Sequence, residues 1–326
     1  MHTAILSIDG GGMKGIISAV ALTKLETLLQ QYSHNPNARI GDYFDLIAGT
    51  STGSVLTALY LIPENGHPKY SAKEILDFYL TLGPSIFDKQ SLYPLFGSKY
   101  MSTNFEAILQ KYFGQLKMSN LLKPCLITSY DTTSREAIFF NAETGKKDPD
   151  RNVLVWQAIK ASCAAPTYFP PVCIKNPPEC PSCYVDGGVV ANNPALCAVI
   201  EALKLPTCSS IEDIYLMSVG NIKSNTNYYY REVKKWGLIE WAVPLFSILL
   251  NSNAQTVDYQ LQTLFYNMDK SDHYIRMQLT TSEKTPALDN YSDTTIQYLL
   301  KCGEQMIKTY MKDLQHFAQI LVSEKK

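Results

Sequence analysis

The chain has little that would mark a membrane span, a nucleic-acid partner or a metal centre. Over 326 residues the formal charge is −1. With no dense run of lysine or arginine, there is no general pull toward nucleic acid or an anionic surface. No apolar stretch reaches the ~20 residues that a bilayer-crossing helix needs. The first strand-like run begins within four residues of Met1, so no charged-then-apolar secretory leader is expected. The expected location is the cytoplasm, with peripheral residence at membranes and export by a signal-independent route as the remaining options. Eight cysteines are present, but a chain of this size needs no staples, so reduced thiols are expected. Cys180-Pro181-Ser182-Cys183, with Cys173 nearby, lacks the downstream pair that a four-ligand zinc site requires, and it does not open a helix after a strand as a redox pair does. No metal and no cofactor is expected. There is no repeat, low-complexity tract or linker. Although the chain exceeds the usual single-core size of about 250 residues, residues 1–326 therefore read as one domain.

Glycine is concentrated where it carries information. Gly49-Thr50-Ser51-Thr52-Gly53 follows the apolar run from Tyr43 to Ala48 and precedes a helix-compatible run from Val55 to Tyr60. A serine between two glycines on a strand-to-helix turn is held with its hydroxyl exposed, which makes Ser51 a candidate nucleophile. Gly49 and Gly53 leave that turn uncrowded. A second cluster, Asp9-Gly10-Gly11-Gly12-Met13-Lys14-Gly15, follows the strand-like Ala4 to Ile8 and leads into a helix whose Ile17, Ala21, Leu25 and Leu28 share a face. Such a loop offers unhindered N–H groups to a phosphate, a carboxylate or an oxyanion.

Gly10, Gly12 and Gly15 also match the spacing of a dinucleotide-binding fingerprint, which makes an oxidoreductase the rival reading. That fingerprint wants an acid at the tip of the second strand, where this chain has Ala48-Gly49-Thr50-Ser51. A serine nucleophile needs a base, and none of the five histidines has a convincing setting. His2 and His34 precede the turn, and His67 lies in a polar loop. His273 and His316 come later, but each reads as solvated or capping. Asp186 is better placed, at the end of the apolar Tyr184-Val185 and before Gly187 and Gly188. Asn193 and Pro194 then open a helix as cap and first residue. Burial can raise an aspartate from ~3.9 toward the range of a useful base.

The triglycine loop, the Gly-Thr-Ser-Thr-Gly turn and the Asp-Gly-Gly sequence, in that order, resemble the patatin-like phospholipase family. Gly83 to Phe87, Ser162 to Pro171 and Asp272 to Arg276 look like family sequence too, so the resemblance spans about residues 3–315. It implies a Ser51–Asp186 catalytic dyad without histidine. It also implies an oxyanion hole from the N–H groups around Gly10, Gly11 and Gly12, with Lys14, Gly15, Gly49, Gly53, Gly187 and Gly188 as supporting motif positions. Lys14 stands where many relatives have arginine, which keeps the charge and loses the planar fork. The implied activity is lipid acyl hydrolysis, of the phospholipase A or lysophospholipase type, through an acyl-enzyme. Within that resemblance, a storage or effector protein with incidental or activator-dependent turnover is the alternative, the activator being a protein or a small molecule.

The order of elements reads as α/β: strands at 4–9, 43–48, 125–130, 136–141, 183–186 and 213–219, with helices at 14–32, 53–61 and 194–204. The expectation is a three-layer fold, with a mostly parallel central sheet flanked by helices. The catalytic core should span about 3–220, followed by a mainly helical part over about 228–320 with helices at 258–265, 294–302 and 304–317. For Trp236 to Leu250, a buried core helix and an interfacial or acyl-channel segment both stay open. The expected partner is a lipid, with peripheral membrane contact through that segment.

Overall fold

Every residue of β1 (Thr3–Ile8) is buried, as suits a central strand covered on both faces. The computed structural model describes residues 2–87, 97–175, 181–224, 227–283 and 285–325. After β1 come α1 (Gly15–Ser33), β2 (Leu46–Gly49), α2 (Thr52–Leu61), α3 (Ala72–Ile86) and α4 (Thr103–Phe113). The middle of the chain forms β3 (Cys125–Asp131), β4 (Glu136–Asn141), α5 (Val155–Ser162), β5 (Val172–Ile174), β6 (Ser182–Asp186) and α6 (Ala195–Ala202). The last part holds β7 (Ile214–Ser224), α7 (Leu238–Asn267), β8 (Tyr274–Thr281), α8 (Asp293–Thr309) and α9 (Met311–Ser323).

The sheet runs β8-β7-β1-β2-β3-β6-β5, with β4 on the other side of β3. It is parallel from β8 to β3, and β4, β5 and β6 are antiparallel additions. This is the expected α/β architecture. Side chains alternate across it. Leu6, Ile47, Ile127 and Met217 join the core under α1, α8 and α9, while Ile5, Leu46, Leu126 and Leu216 meet α6 and the Leu261 and Phe265 side chains of α7.

The register of β3 decides where the chain ends of other strands meet. β4 occupies one side of β3 from Leu126 to Asp131, so β2 and β6 share the other side. β2 runs parallel to β3 and stops with Gly49 opposite Ile127. β6 runs the opposite way and stops with Asp186 opposite Ser129. The two strands therefore point at one another along a single edge, two residues apart, or ~7 Å.

At the end of β1, the Asp9 carboxylate accepts two hydrogen bonds from the Arg276 guanidinium of β8, at 2.7 and 2.5 Å. Arg276 also donates to Ser218 of β7 (2.8 Å) and to Gln278 (2.9 Å). Both charges are buried, and the forked pairing provides the several bonds such a burial requires.

Several boundaries differ from the sequence reading. β2 begins at Leu46 rather than 43 because Ile40–Tyr43 form a helical turn, held by the Asp42 carboxylate on the Arg39 N–H at 2.8 Å. The helix expected at 258–265 is the end of a single 30-residue helix, α7. Its first half is the segment read separately as Trp236 to Leu250, and the helix runs on unbroken past Pro244. Asn193 caps as expected, accepting the Ala195 N–H at 3.0 Å, but Pro194 lies just outside α6. His273 is not solvated: it is buried and stacked on Tyr215 at 3.9 Å between ring centroids, at the start of β8 and so on the sheet edge opposite the glycine loops. Among the described residues no helix is long and apolar enough to cross a membrane.

Arg276→Met leaves the Asp9 carboxylate buried without its cation, and should lower stability by about 3–5 kcal/mol. Urea unfolding at pH 7 measures this, and a loss near zero would show that the pair does not hold β1 to β8.

Candidate active site

Between Gly49 and Thr52 the chain must leave a buried strand and enter a helix at once. Ser51 takes φ 51° and ψ −122° to do so, a conformation that costs a non-glycine residue of order 1–3 kcal/mol. Four hydrogen bonds hold the turn. The Ser51 N–H donates to Ser162 Oγ (2.9 Å), the Gly53 N–H to the Thr50 carbonyl (2.8 Å), and the Ser54 N–H and hydroxyl to the Ser51 carbonyl (2.9 and 2.6 Å). Gly53 is required by close approach, since a Cβ there would lie 2.1 Å from the Ile8 carbonyl oxygen. Gly15 packs in the same way against Thr52, and Gly49 against Gly53.

Asp186 arrives from the opposite direction on β6. Its N–H donates to the Ala164 carbonyl (2.9 Å), and the next N–H, of Gly187, donates to the Ser162 carbonyl (3.2 Å). Ser162 thus ties down both the Ser51 turn and the Asp186 turn. Thr128 fills the gap between the two strand ends. Its hydroxyl donates to Thr50 Oγ1 (2.7 Å), which itself donates to the Ala191 carbonyl (2.6 Å), and a Cβ on Gly187 would collide with Thr128 at 2.1 Å. The Asp186 side chain is 3 % exposed. Burial pushes its carboxyl up to about 7, against the opposing pull of the Gly188 N–H (2.7 Å) and of the Ser51 side chain.

The triglycine loop closes the site from the third side. Gly10 donates its N–H to the Asn192 carbonyl (3.0 Å) and accepts from Asn221 Nδ2 (3.0 Å). Gly12 has φ 58°, which glycine adopts without strain. The Leu288 carbonyl covers the loop and accepts the Met13 N–H at 2.8 Å, while the Lys14 N–H turns back to Gly11. The Met13 and Lys14 N–H groups are thus spent within the protein, which leaves fewer donors in the loop for a pyrophosphate than the dinucleotide reading requires. The Lys14 side chain reaches Thr285 Oγ1 at 3.3 Å, and burial lowers its amine to about 8.

Ser51, Asp186, Gly11 and Gly12 open on one cavity, whose walls are apolar side chains such as Phe78, Leu82 and Phe87, Ile108 of α4 and Phe246 and Leu250 of α7. Tyr79 braces it, donating to the Thr52 carbonyl at 2.6 Å. Leu250 packs against Gly188. Arg276, Ser162, Asn192, Asn221 and Leu288 were given no role from the sequence. Arg276 and Ser162 lie in segments that stood out there, and a lone arginine in an apolar strand is a usable signal of a buried acid partner. The roles of Asn192, Asn221 and Leu288 depend on chain folding alone. Cys180 lies outside the described residues.

The Patatin-like phospholipase family model matches residues 6–199. Among potato (Solanum tuberosum) proteins, "Probable inactive patatin-3-Kuras 1" is 34 % identical over 351 aligned residues, covering 99 % of this chain and 93 % of that protein. "Patatin-T5" is 33 % identical over 350, covering 99 % and 90 %. Of solved structures, VipD from Legionella pneumophila aligns over 94 % of this chain and 67 % of its own, with 12 % identity and a TM-score of 0.39. On the family match and these whole-length relatives, the chain belongs to the patatin-like phospholipase family.

Proposed function

We propose that this protein is a lipid acyl hydrolase that cleaves fatty acyl esters of phospholipids or other polar lipids with Ser51 as nucleophile and Asp186 as base. The observation that carries the reading is a buried aspartate, raised to about 7, against a serine held in a strained turn at the mouth of an apolar cavity. Ionised Asp186 takes the Ser51 proton while Ser51 Oγ attacks the ester carbonyl. The leaving alcohol departs with that proton, and water, deprotonated by Asp186, then releases the fatty acid from the acyl-enzyme. Since the Gly10 N–H is already engaged, the oxyanion falls to the N–H groups of Gly11 and Gly12, each such donor contributing about 3–4 kcal/mol. The apolar cavity takes the acyl chain.

Lipid contact is assigned to α7. Phe246 and Leu250 line the cavity, whereas Leu238, Leu245 and Leu249 on the same helix are exposed. Trp236 and Trp241 meet edge to face at 5.0 Å beside them, and tryptophan suits a surface apolar at one end and wet at the other. One 34 % identical relative carries "inactive" in its name, so whole-length likeness alone does not supply turnover. The Ser51–Asp186 pairing favours an enzyme here, and an activator-dependent or storage role follows only if the pure chain is silent.

Ser51→Ala and Asp186→Asn should each lower fatty-acid release from p-nitrophenyl esters and labelled phospholipid by at least ~100-fold; full activity in Ser51→Ala would remove the assignment. Because the base acts ionised, kcat/KM should rise with pH around a midpoint of about 7. Stability should run the other way. The folded carboxyl binds its proton more tightly than the unfolded one, so wild type loses stability from about pH 4 to about pH 7, by up to roughly 4 kcal/mol. Asp186→Asn should lack that loss in urea titrations at several pH values. Trp236→Ala with Trp241→Ala should weaken vesicle binding and micellar turnover while sparing hydrolysis of a soluble ester.

A further inference from the structure

We propose that Cys173 and Cys183 are a redox pair, closing into a reversible cross-strand disulfide that ties the edge strand β5 to β6, the strand that ends in Asp186. The two cysteines stand directly opposite in the antiparallel β5–β6 ladder, between the pairs Val172–Tyr184 and Ile174–Ser182. Both are free thiols, Cys173 exposed and Cys183 half-buried. Val172 and Ile174 are buried, so Cys173 projects from the opposite face of β5. Partners in register share a face of the sheet, which places the Cys183 side chain on that outward face too.

The backbone of Cys183 identifies the kind of pair. Its N–H donates to Asp131 Oδ1 (3.3 Å) and Thr133 Oγ1 (3.2 Å), and its carbonyl accepts from the N–H (2.8 Å) and hydroxyl (2.9 Å) of Thr132. Within a strand, the N–H and C=O of one residue point to the same side. Cys183 therefore spends both on the β3 side and makes a non-hydrogen-bonded pair with Cys173. Such pairs bring Cα atoms to about 4.5 Å with side chains close, inside the range of about 4.4–6.8 Å that a disulfide spans. A hydrogen-bonded pair would hold the side chains farther apart. The bridge can thus close with no change of register.

The oxidant is a small disulfide such as oxidised glutathione. The exposed Cys173 thiolate attacks one of its sulfurs, forming a mixed disulfide and releasing one glutathione thiolate; the Cys183 thiolate then displaces the second. Two protein thiols become one disulfide, one glutathione disulfide becomes two thiols, and the two protons pass from the cysteines to the released glutathione.

To test this, the native full-length chain is incubated with oxidised glutathione, remaining thiols are alkylated, and a non-reducing tryptic digest is analysed by mass spectrometry. Cleavage after Lys175 separates the two cysteines, so a bridge joins two peptides. Expected is a cross-link in wild type and in Cys180→Ser that is lost in Cys173→Ser and in Cys183→Ser. The thermal midpoint of oxidised wild type should rise and fall back on adding dithiothreitol, with no such rise in Cys183→Ser. A cross-link that persists in Cys183→Ser, or accumulation of glutathione adducts on Cys173 without a bridge, would overturn the proposal. None of these readouts depends on hydrolytic activity.

Discussion

The structure turns on one edge of β3, which carries two strands end to end. β2 and β6 approach from opposite directions and stop two positions apart, at Ile127 and Ser129, so residues far apart in sequence finish against each other without a long loop to position them. Thr128, between those two positions, is where the strand ends are joined, through its bond to Thr50 and its contact with Gly187. The spacing of Ser51 and Asp186 is therefore set by sheet geometry, which is stiff, more than by side-chain rotamers, which are not.

That stiffness is what makes the unfavourable parts of the site tolerable. A non-glycine residue at φ 51° and a carboxyl buried to 3 % exposure would each relax if left alone. Ser162 opposes both relaxations at once, with its hydroxyl on the Ser51 N–H and its carbonyl on the Gly187 N–H. Each neutral bond contributes about 1 kcal/mol, so several acting together offset strain of order 1–3 kcal/mol. The site is a region where local cost is balanced by its surroundings, and this is where conformational preference is expected to give way to function.

The order of elements along the chain, the mostly parallel sheet and the neighbourhood of the nucleophile were largely legible from sequence, because strands that are buried on both faces and end in glycine have few other readings. Ser51 and the triglycine loop could be named as candidates from their neighbours, whereas Asp186 rose above a plain Asp-Gly turn only through the family resemblance. The carbonyl of Leu288 on that loop could not, since nothing in Pro286-Ala287-Leu288 distinguishes a backbone oxygen that will be used from one that will not. The full span of α7 was missed for a different reason: Trp236 to Leu250 could be read as a helix of its own, but Phe246 and Leu250 face the cavity while Leu245 and Leu249 face outward, so no single apolar stripe joins it to 258–265. His273 was misplaced because its polar neighbours Ser271 and Asp272 suggested a surface, whereas the aromatic face of Tyr215 that covers it comes from another strand.

The family match ends at residue 199, yet the loop at its beginning is finished by later chain. β1 pairs with β7 on one side, Asp9 awaits Arg276, and Met13 awaits Leu288. During synthesis the nucleophile turn and the aspartate turn can meet early, on β3. The first strand, made before either, must wait for almost the last, and such contacts between distant segments are slow to form. If Ser51 and Asp186 act as proposed, a ribosome-bound chain would hold the two together while the Gly11 and Gly12 loop beside them was still unsupported, so that competence arrives late and all at once.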